Sequence, residues 1–464
     1  MTGLHTPQPS EGDDNRGARR RGWERGVGPR THALVERDAE VFLRQSLSTP
    51  CLSAVARAEG AWIEDADGRR LLDFHGNSCH HVGYGHPRVL RAISDQLASL
   101  PFAPRRFTCE PAVALAEKLV ALAPAGLDRV LLAPSGSDAV EIALRIARAA
   151  TGRFKTLSFW DAFHGAGFGA SSVGGEALFR SGPVGPLVPG AEHVAPFACY
   201  RCPYGHAAGD DAAPWERCGL ACARMIRFAL AREGDFAAVI AEPTRAVPYL
   251  PPPGFWREVR DACDATGTLL VFDEIPTGLG KTGRMFASEH EGVTPDVLVL
   301  GKALGGAVLP IAATLCRAGL DVGAAWAFGH YTHEKNPVTA RAALEVLRVI
   351  EDEGLVENAR RQGARALARL HAIAGRIPAV GDVRGRGLLL GVELVTSRAQ
   401  RTPDREGAEA VLYAALARGL SFKVTMGNVL TLSPPLTVTD AELDHGLDLL
   451  EAALVDACGT EPLP

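Results

Sequence analysis

The chain has 464 residues, 47% hydrophobic and 22% charged, with a formal net charge of −5 at pH 7. That composition is typical of a soluble globular protein long enough for more than one domain. The mild acidity gives no reason to expect nucleic acid or an anionic membrane as a partner, and no apolar run nears the roughly 18 residues of a membrane span. Ten cysteines in a chain this long do not imply a disulfide scaffold, so the reducing cytoplasm is the expected compartment.

Residues 1–29 are rich in Gly, Arg and Asp and basic at Arg16, Arg19, Arg20 and Arg21. They lack the apolar core of a secretory signal and are expected to form a disordered extension. A helical pattern follows from His32 to Arg44, with Leu34, Val35, Val41, Phe42 and Leu43 as its apolar face. Ala61 to Asp73 reads as a hairpin turning at Asp67-Gly68. The next stretch, Phe74 to Pro87, reads FHGNSCHHVGYGHP. It is either a loop of satisfied histidines or a polar substrate pocket presenting His75 and His80. Arg105 and Arg106 are adjacent, and read either as solvated cations or as a fork for a cluster of anionic oxygens.

The apolar run Val130 to Ala133 leads through Ser135-Gly136-Ser137-Asp138 into a helix over Ala139 to Ala150. A strand, a small-residue turn and a helix amino terminus form an anion site from backbone N–H groups and the helix dipole, with Gly136 and Ser137 as its contacts. Cys199, Cys202, Cys218 and Cys222 are spaced C-x-x-C then C-x-x-x-C, which suits either a structural zinc site or an insertion carrying reduced thiols; no metal is assigned. Ala238 to Ala241 reads as a buried strand ending in Glu242-Pro243, and Arg245 stands where a substrate contact is possible. Leu269 to Phe272 is a second such strand, with Asp273 and Glu274 at its carboxyl end, where open α/β sheets place their ligands. The run Val297 to Leu300 then ends in Gly301-Lys302. A carboxylate at one strand tip and a lysine at the next suit pyridoxal phosphate, which needs an acid partner for its ring nitrogen and an amine for its Schiff base.

The pattern D-E-x-x-T-G-x-G-K-T-G over Asp273 to Gly283, followed by P-D-x-x-x-x-G-K-x-L-G-G over Pro295 to Gly306, resembles the signature of the class III aminotransferases, which are fold type I pyridoxal-phosphate enzymes. The resemblance implies an α/β fold whose large domain, residues 75–340, holds a mostly parallel seven-stranded sheet. A smaller α/β domain comes from both termini, residues 30–74 and 341–464. It further implies that Lys302 forms the Schiff base and moves the substrate's proton, and that Asp273 pairs with the pyridine nitrogen. By the same resemblance, Gly136 and Ser137 are expected to hold the cofactor phosphate, Phe163 to stack on the pyridine face, and Glu242 to lie near the cofactor. Thr332, four residues before Asn336, corresponds to a threonine that reaches the phosphate of the neighbouring subunit, which implies a homodimer with shared active sites.

Two departures bear on the reaction. Pro276 stands where the family usually carries a Gln that donates to the cofactor ring. Thr431, three residues before Pro434-Pro435-Leu436, stands where 2-oxo-acid transaminases carry an arginine for the α-carboxylate. Together with HGNxxHxVGYGHP, PRRFT and GHYTHEKNP, these features resemble the pyridoxal-phosphate lyases of phosphonate breakdown. The reaction then expected is release of ammonia from a hydroxylated aminophosphonate. Arg105, Arg106 and Arg245 are the candidates for the phosphonate, and His75 or His80 for the general acid. The competing readings are an amine:2-oxo-acid aminotransferase, a phospho-lyase acting on a phosphorylated amino alcohol, and a catalytically silent cofactor-binding protein. Intact Lys302 and Asp273 argue against the last.

Overall fold

The apolar runs read from the sequence lie side by side in one sheet. In the computed structural model, which describes residues 17–206 and 214–460, seven strands are ordered Arg129–Ala133, Ala312–Cys316, Val297–Leu300, Leu269–Asp273, Phe236–Ala241, Lys155–Phe159 and Ala191–Val194. Only Ala312–Cys316 runs antiparallel to its neighbours; every other adjacent pair is parallel. The centre of such a sheet is covered on both faces, so its strands read as continuous rather than alternating apolar runs. Phe236–Ala241 is buried at every position. Successive side chains feed opposite layers. Val271 and Ile240 pack with Ala139, Val140 and Ile142 of the helix Gly136–Thr151, whereas Phe272 and Val239 face a second core. That second layer includes a chain of aromatic contacts, with Trp256 lying 4.7 Å from Phe272 and Phe197 lying 5.0 Å from Phe255.

Two smaller sheets complete the chain. Val55–Glu59, Trp62–Asp65 and Arg70–Asp73 form an antiparallel meander, which Leu420–Ser421 joins in parallel. Residues early and late in the sequence therefore share one sheet, and the predicted hairpin at Asp67-Gly68 lies inside it. The other contains Val380–Arg386, Leu389–Ser397, Val429–Leu432 and Lys423–Thr425 in that order.

Three expectations need correction. Residues 1–16 of the predicted extension lie outside the described residues, but Ala18–Glu24 is a helix. Trp23 donates its indole N–H to the Leu52 carbonyl at 2.8 Å and Arg20 is buried, so packing orders a segment whose composition reads as disordered. The next helix spans Pro29–Val41, with Pro29 in its first turn, and not residues 32–44. Its supposed apolar face is solvent-exposed at Leu34, Val41, Phe42 and Leu43. Finally, the boundary placed at residue 340 falls inside the helix Pro337–Asp352. Asn336 starts that helix by accepting the backbone N–H groups of Val338 and Thr339, as its propensity for the N-cap dictates.

The Asp273–Gly283 loop is fixed to the carboxyl-terminal region by Lys281, which is fully buried and donates to the Pro434 carbonyl at 2.7 Å. Burial brings its pKa down from 10.5 to about 7. Between those two values the unfolded chain binds more protons at this position than the folded one, so the cost of burying this lysine is removed as pH rises through that window. The slope reaches about 1.4 kcal/mol per pH unit at most. Lys281→Met has no such slope. The melting temperature of the variant minus that of the parent should therefore fall from pH 6 to pH 9, as read by thermal denaturation at both values; a difference independent of pH would contradict the burial argument.

Candidate active site

The site follows from the ends of two neighbouring strands. Asp273 pairs in register with Val299 on the adjacent parallel strand, so Lys302, three residues beyond Val299, emerges at the same edge of the sheet. Asp273 is buried. One carboxylate oxygen lies 2.8 Å from Nδ1 of His164, and the other accepts the Ile275 N–H at 3.0 Å. Both oxygens are thereby fixed in direction. Nε2 of His164 is buried and has no hydrogen-bond partner among the described residues. Lys302 has φ of +43°, a left-handed conformation that a side chain tolerates only where its surroundings impose it. Its amine makes no hydrogen bond or ion pair among the described residues, and it faces a cavity of about 610 Å³ also lined by Asp73, His75, Asn77, Ser135 and Gly136. Such a volume suits a small organic ligand.

Above the sheet, the helix Gly136–Thr151 is capped by Ser135, whose hydroxyl accepts the Asp138 N–H at 3.2 Å and donates to the Asp138 carboxylate at 2.7 Å. Gly136 and Ser137 occupy the first turn, where backbone N–H groups lack intrahelical partners. Two glycines allow the surrounding loops to close on this turn. A Cβ at Gly136 would stand 2.9 Å from Ile275, and one at Gly165, where φ is +130°, would stand 2.6 Å from the Ser137 hydroxyl. That hydroxyl in turn accepts the Ala166 N–H at 3.1 Å. The half-buried Phe163 lies 4.7 Å from Phe179. Glu242 is buried and accepts the Ala246 N–H; burial pushes its pKa up.

The remaining predicted residues divide. His75 lines the cavity, but His80 does not. His80 is fully buried, with Nε2 3.0 Å from the Asp73 carbonyl, and burial brings its pKa down to about 4. It is therefore a core histidine, neutral near pH 7, which removes it as general acid. His81 is likewise buried against the Gly278 carbonyl. Arg245 lies outside the lining; it is buried, donates to the Asp161 carbonyl and stands 5.6 Å over the Tyr249 ring. Arg105, Arg106 and Thr332 are exposed and also lie outside the lining of this chain's own cavity, with Arg105 4.0 Å from Glu334.

Sequence reasoning missed Asp73 and Tyr84. The Asp73 carboxylate accepts the N–H groups of His75 and Gly76 and the Tyr84 hydroxyl at 2.8 Å, and so shapes the wall on which His75 stands. The signal was available in the Leu72-Asp73 end of the hairpin. Of the two departures, Pro276 is buried and has no side-chain donor. Thr431 is buried with its hydroxyl 2.8 Å from that of Thr425, so it puts no cation at the site. An unpartnered amine, a directed carboxylate and an open helix amino terminus fit pyridoxal phosphate in its three requirements: imine, ring nitrogen and phosphate.

Comparison with known proteins agrees with this geometry. A family described as aminotransferase class-III matches residues 44–454. A protein of Vibrio splendidus (strain 12B01) named (R)-1-hydroxy-2-aminoethylphosphonate ammonia-lyase is 42% identical, covering 97% of this chain and 95% of its own. A leucine/methionine racemase of Thermococcus litoralis is 35% identical, covering 92% and 96%. Among solved structures, a PLP-bound amine transaminase from an uncultivated Pseudomonas species superposes with a TM-score of 0.81 at 32% identity, covering 87% of this chain and 95% of the other.

Two lysines lie in the signature, and only Lys302 opens onto the cavity. Borohydride reduction of the cofactor-loaded protein followed by peptide mass spectrometry should therefore place the pyridoxyl group on Lys302 alone. Label on Lys281, or none on Lys302, would contradict the assignment.

Proposed function

The chain belongs to the class III aminotransferases and its cofactor is pyridoxal phosphate; from that premise we propose that it is an ammonia-lyase converting (R)-2-amino-1-hydroxyethylphosphonate to phosphonoacetaldehyde and ammonia. The observation that carries this reading is the likeness, along 97% of the chain, to a protein named for that reaction. The sequence supports it in one respect: by resemblance to the family, Thr431, whose hydroxyl bonds to that of Thr425, stands at the position where 2-oxo-acid transaminases carry an arginine for the carboxylate.

Pyridoxal phosphate, when bound, ties up the substrate amine and draws electrons from the bonds of the amine-bearing carbon. Asp273, oriented by His164 and the Ile275 N–H, holds a proton at the ring nitrogen, and the N–H groups of Gly136 and Ser137 hold the phosphate. Lys302, released from its own bond, takes a proton from the amine-bearing carbon. His75 stands on the cavity wall as the acid that gives a proton to the departing hydroxyl, so that the carbon–oxygen bond breaks with loss of water. The product enamine takes up water and yields the aldehyde and ammonia, which leaves the overall atoms balanced. In a transaminase Lys302 would instead return its proton to the cofactor.

The phosphonate needs cationic or N–H donors, and among the described residues no arginine lines this chain's own cavity. We propose that the enzyme works as a homodimer. Arg105, Arg106 and Thr332 share the exposed surface with Phe102, Phe107 and Trp326, and a second copy covering that surface would bring these arginines to an active site.

Purified, cofactor-loaded protein given 2-amino-1-hydroxyethylphosphonate and no oxo acid should release many equivalents of ammonia per site; no ammonia, with the cofactor converted once per site to its pyridoxamine form, would identify a transaminase. Arg105→Ala and Arg106→Ala, tested singly, should each raise KM for the phosphonate by about 10- to 100-fold, the cost of roughly 1.5–3 kcal/mol for a lost charged hydrogen bond. Unchanged kinetics would remove both from the substrate site.

A further inference from the structure

The active site makes no use of the four cysteines between residues 199 and 222, which the fold brings together. Cys199 opens a short 3-10 turn, Cys199–Arg201, that Cys202 closes. The Gly205 N–H then bonds to the Cys202 carbonyl at 3.1 Å, with Gly205 at φ +79°. Cys218 ends the helix Pro214–Cys218, Gly219 and Leu220 both turn through left-handed conformations (φ +53° and +56°), and Cys222 lies in the first turn of the helix Ala221–Glu233. Two tight turns thus each carry a cysteine pair, and all four cysteines line one cavity of about 10 Å³. That volume is close to a single water-sized guest. Phe197, Tyr204, His206 and Trp215 are among the other residues of its wall. The thiols are near enough to act on one another. Burial, and then the neighbouring thiols, push Cys199 up to about 11 and Cys222 up to about 12.

We propose that Cys199, Cys202, Cys218 and Cys222 form a structural site for one Zn²⁺ ion. The donor set is four soft sulfurs, which suits tetrahedral zinc. The spacing, with 15 residues between Cys202 and Cys218, is that of paired zinc knuckles. Among the described residues no three donors already close to the spacing of a bound ion; the thiols surround the cavity, and binding would draw them inward. Each thiol gives up its proton as its sulfur binds the metal, so no oxidant or reductant is needed, and the cation offsets the mutual repulsion that four neighbouring thiolates would otherwise suffer.

The site has a structural purpose visible in the residues between the first two cysteines. Nε of Arg201 lies 2.5 Å from the Glu393 carboxylate, and the Tyr200 carbonyl accepts Arg401 at 2.7 Å. Glu393 is completely buried and also pairs with Arg384 at 2.7 Å. Zinc would hold the turn that carries Tyr200 and Arg201 against the strand Leu389–Ser397, and so fasten the large sheet's insertion to the smaller sheet.

Elemental analysis of the cofactor-loaded protein, expressed with zinc in the medium and dialysed without chelator, should find close to one zinc per chain. Cys202→Ser and Cys222→Ser should lose it, whereas Cys51→Ser should keep it. Should the cysteine variants fail to fold, growth of the parent in cobalt offers the second test, because tetrathiolate cobalt gives intense sulfur-to-metal charge-transfer absorption. Protein free of zinc whose four thiols react readily with a disulfide reagent, protein in which they form two disulfides, or protein holding iron instead would each overturn the proposal.

Discussion

Adjacent parallel strands end at the same edge of a sheet, and the chemistry of this protein depends on that constraint. Asp273 and Lys302 are far apart in any local sense, separated by the loop from Glu274 to Asp296, yet the pairing of Asp273 with Val299 places both at one edge. A charged carboxylate as buried as Asp273 is costly unless hydrogen-bonded. His164 and the Ile275 N–H meet that requirement and also aim it. The helix Gly136–Thr151 packs on the same strands through Ala139, Val140 and Ile142, so its amino terminus faces the same space. Three groups with different electrostatic character are therefore fixed by one packed core.

Much of this was legible in the sequence, because backbone geometry dictated the residues. Buried parallel strands must be apolar throughout, which made Leu269–Asp273 and Val297–Leu300 readable as such. The loops against the helix amino terminus need glycine where a Cβ would collide, at Gly136 and Gly165. What the sequence could not reveal is the direction in which side chains point after an irregular turn. Gly76, Asn77 and Ser78 all adopt positive φ, and this turn sends His75 to the cavity and His80 into the core against the Asp73 carbonyl. The helix Ala18–Glu24 escaped for a related reason. Its residues favour disorder on composition alone, and only contacts with distant groups, Leu52 with Trp23 and Pro50 with Arg20, order it. Arg105, Arg106 and Thr332 are exposed and lie outside the lining of this chain's own cavity, so their place in a site could not be read from one chain.

The departures from the family pattern matter through what they leave out. A fold of this kind supports several reactions, and the cofactor provides the electron sink in each. The outcome then rests on where the proton and the leaving group go. Thr431, buried and hydrogen-bonded to Thr425, stands where 2-oxo-acid transaminases of the family carry an arginine, and Pro276 offers no side-chain donor in the loop beside Asp273. Neither change weakens the framework, since both residues are buried and packed. The arrangement of Lys302, Asp273 and His164 does not depend on either residue's side chain.

The central claim is that the site expels the substrate's hydroxyl and does not exchange its amine, and the identity of the phosphorus-containing product tests it most directly. Phosphorus NMR of the reaction with 2-amino-1-hydroxyethylphosphonate, run with and without an oxo acid, distinguishes the two routes. Elimination yields phosphonoacetaldehyde, in which the carbon attached to phosphorus has lost its oxygen, in both reactions alike. Transamination yields 1-hydroxy-2-oxoethylphosphonate, which keeps that hydroxyl and accumulates only with the acceptor present, and its appearance as the product would contradict the account.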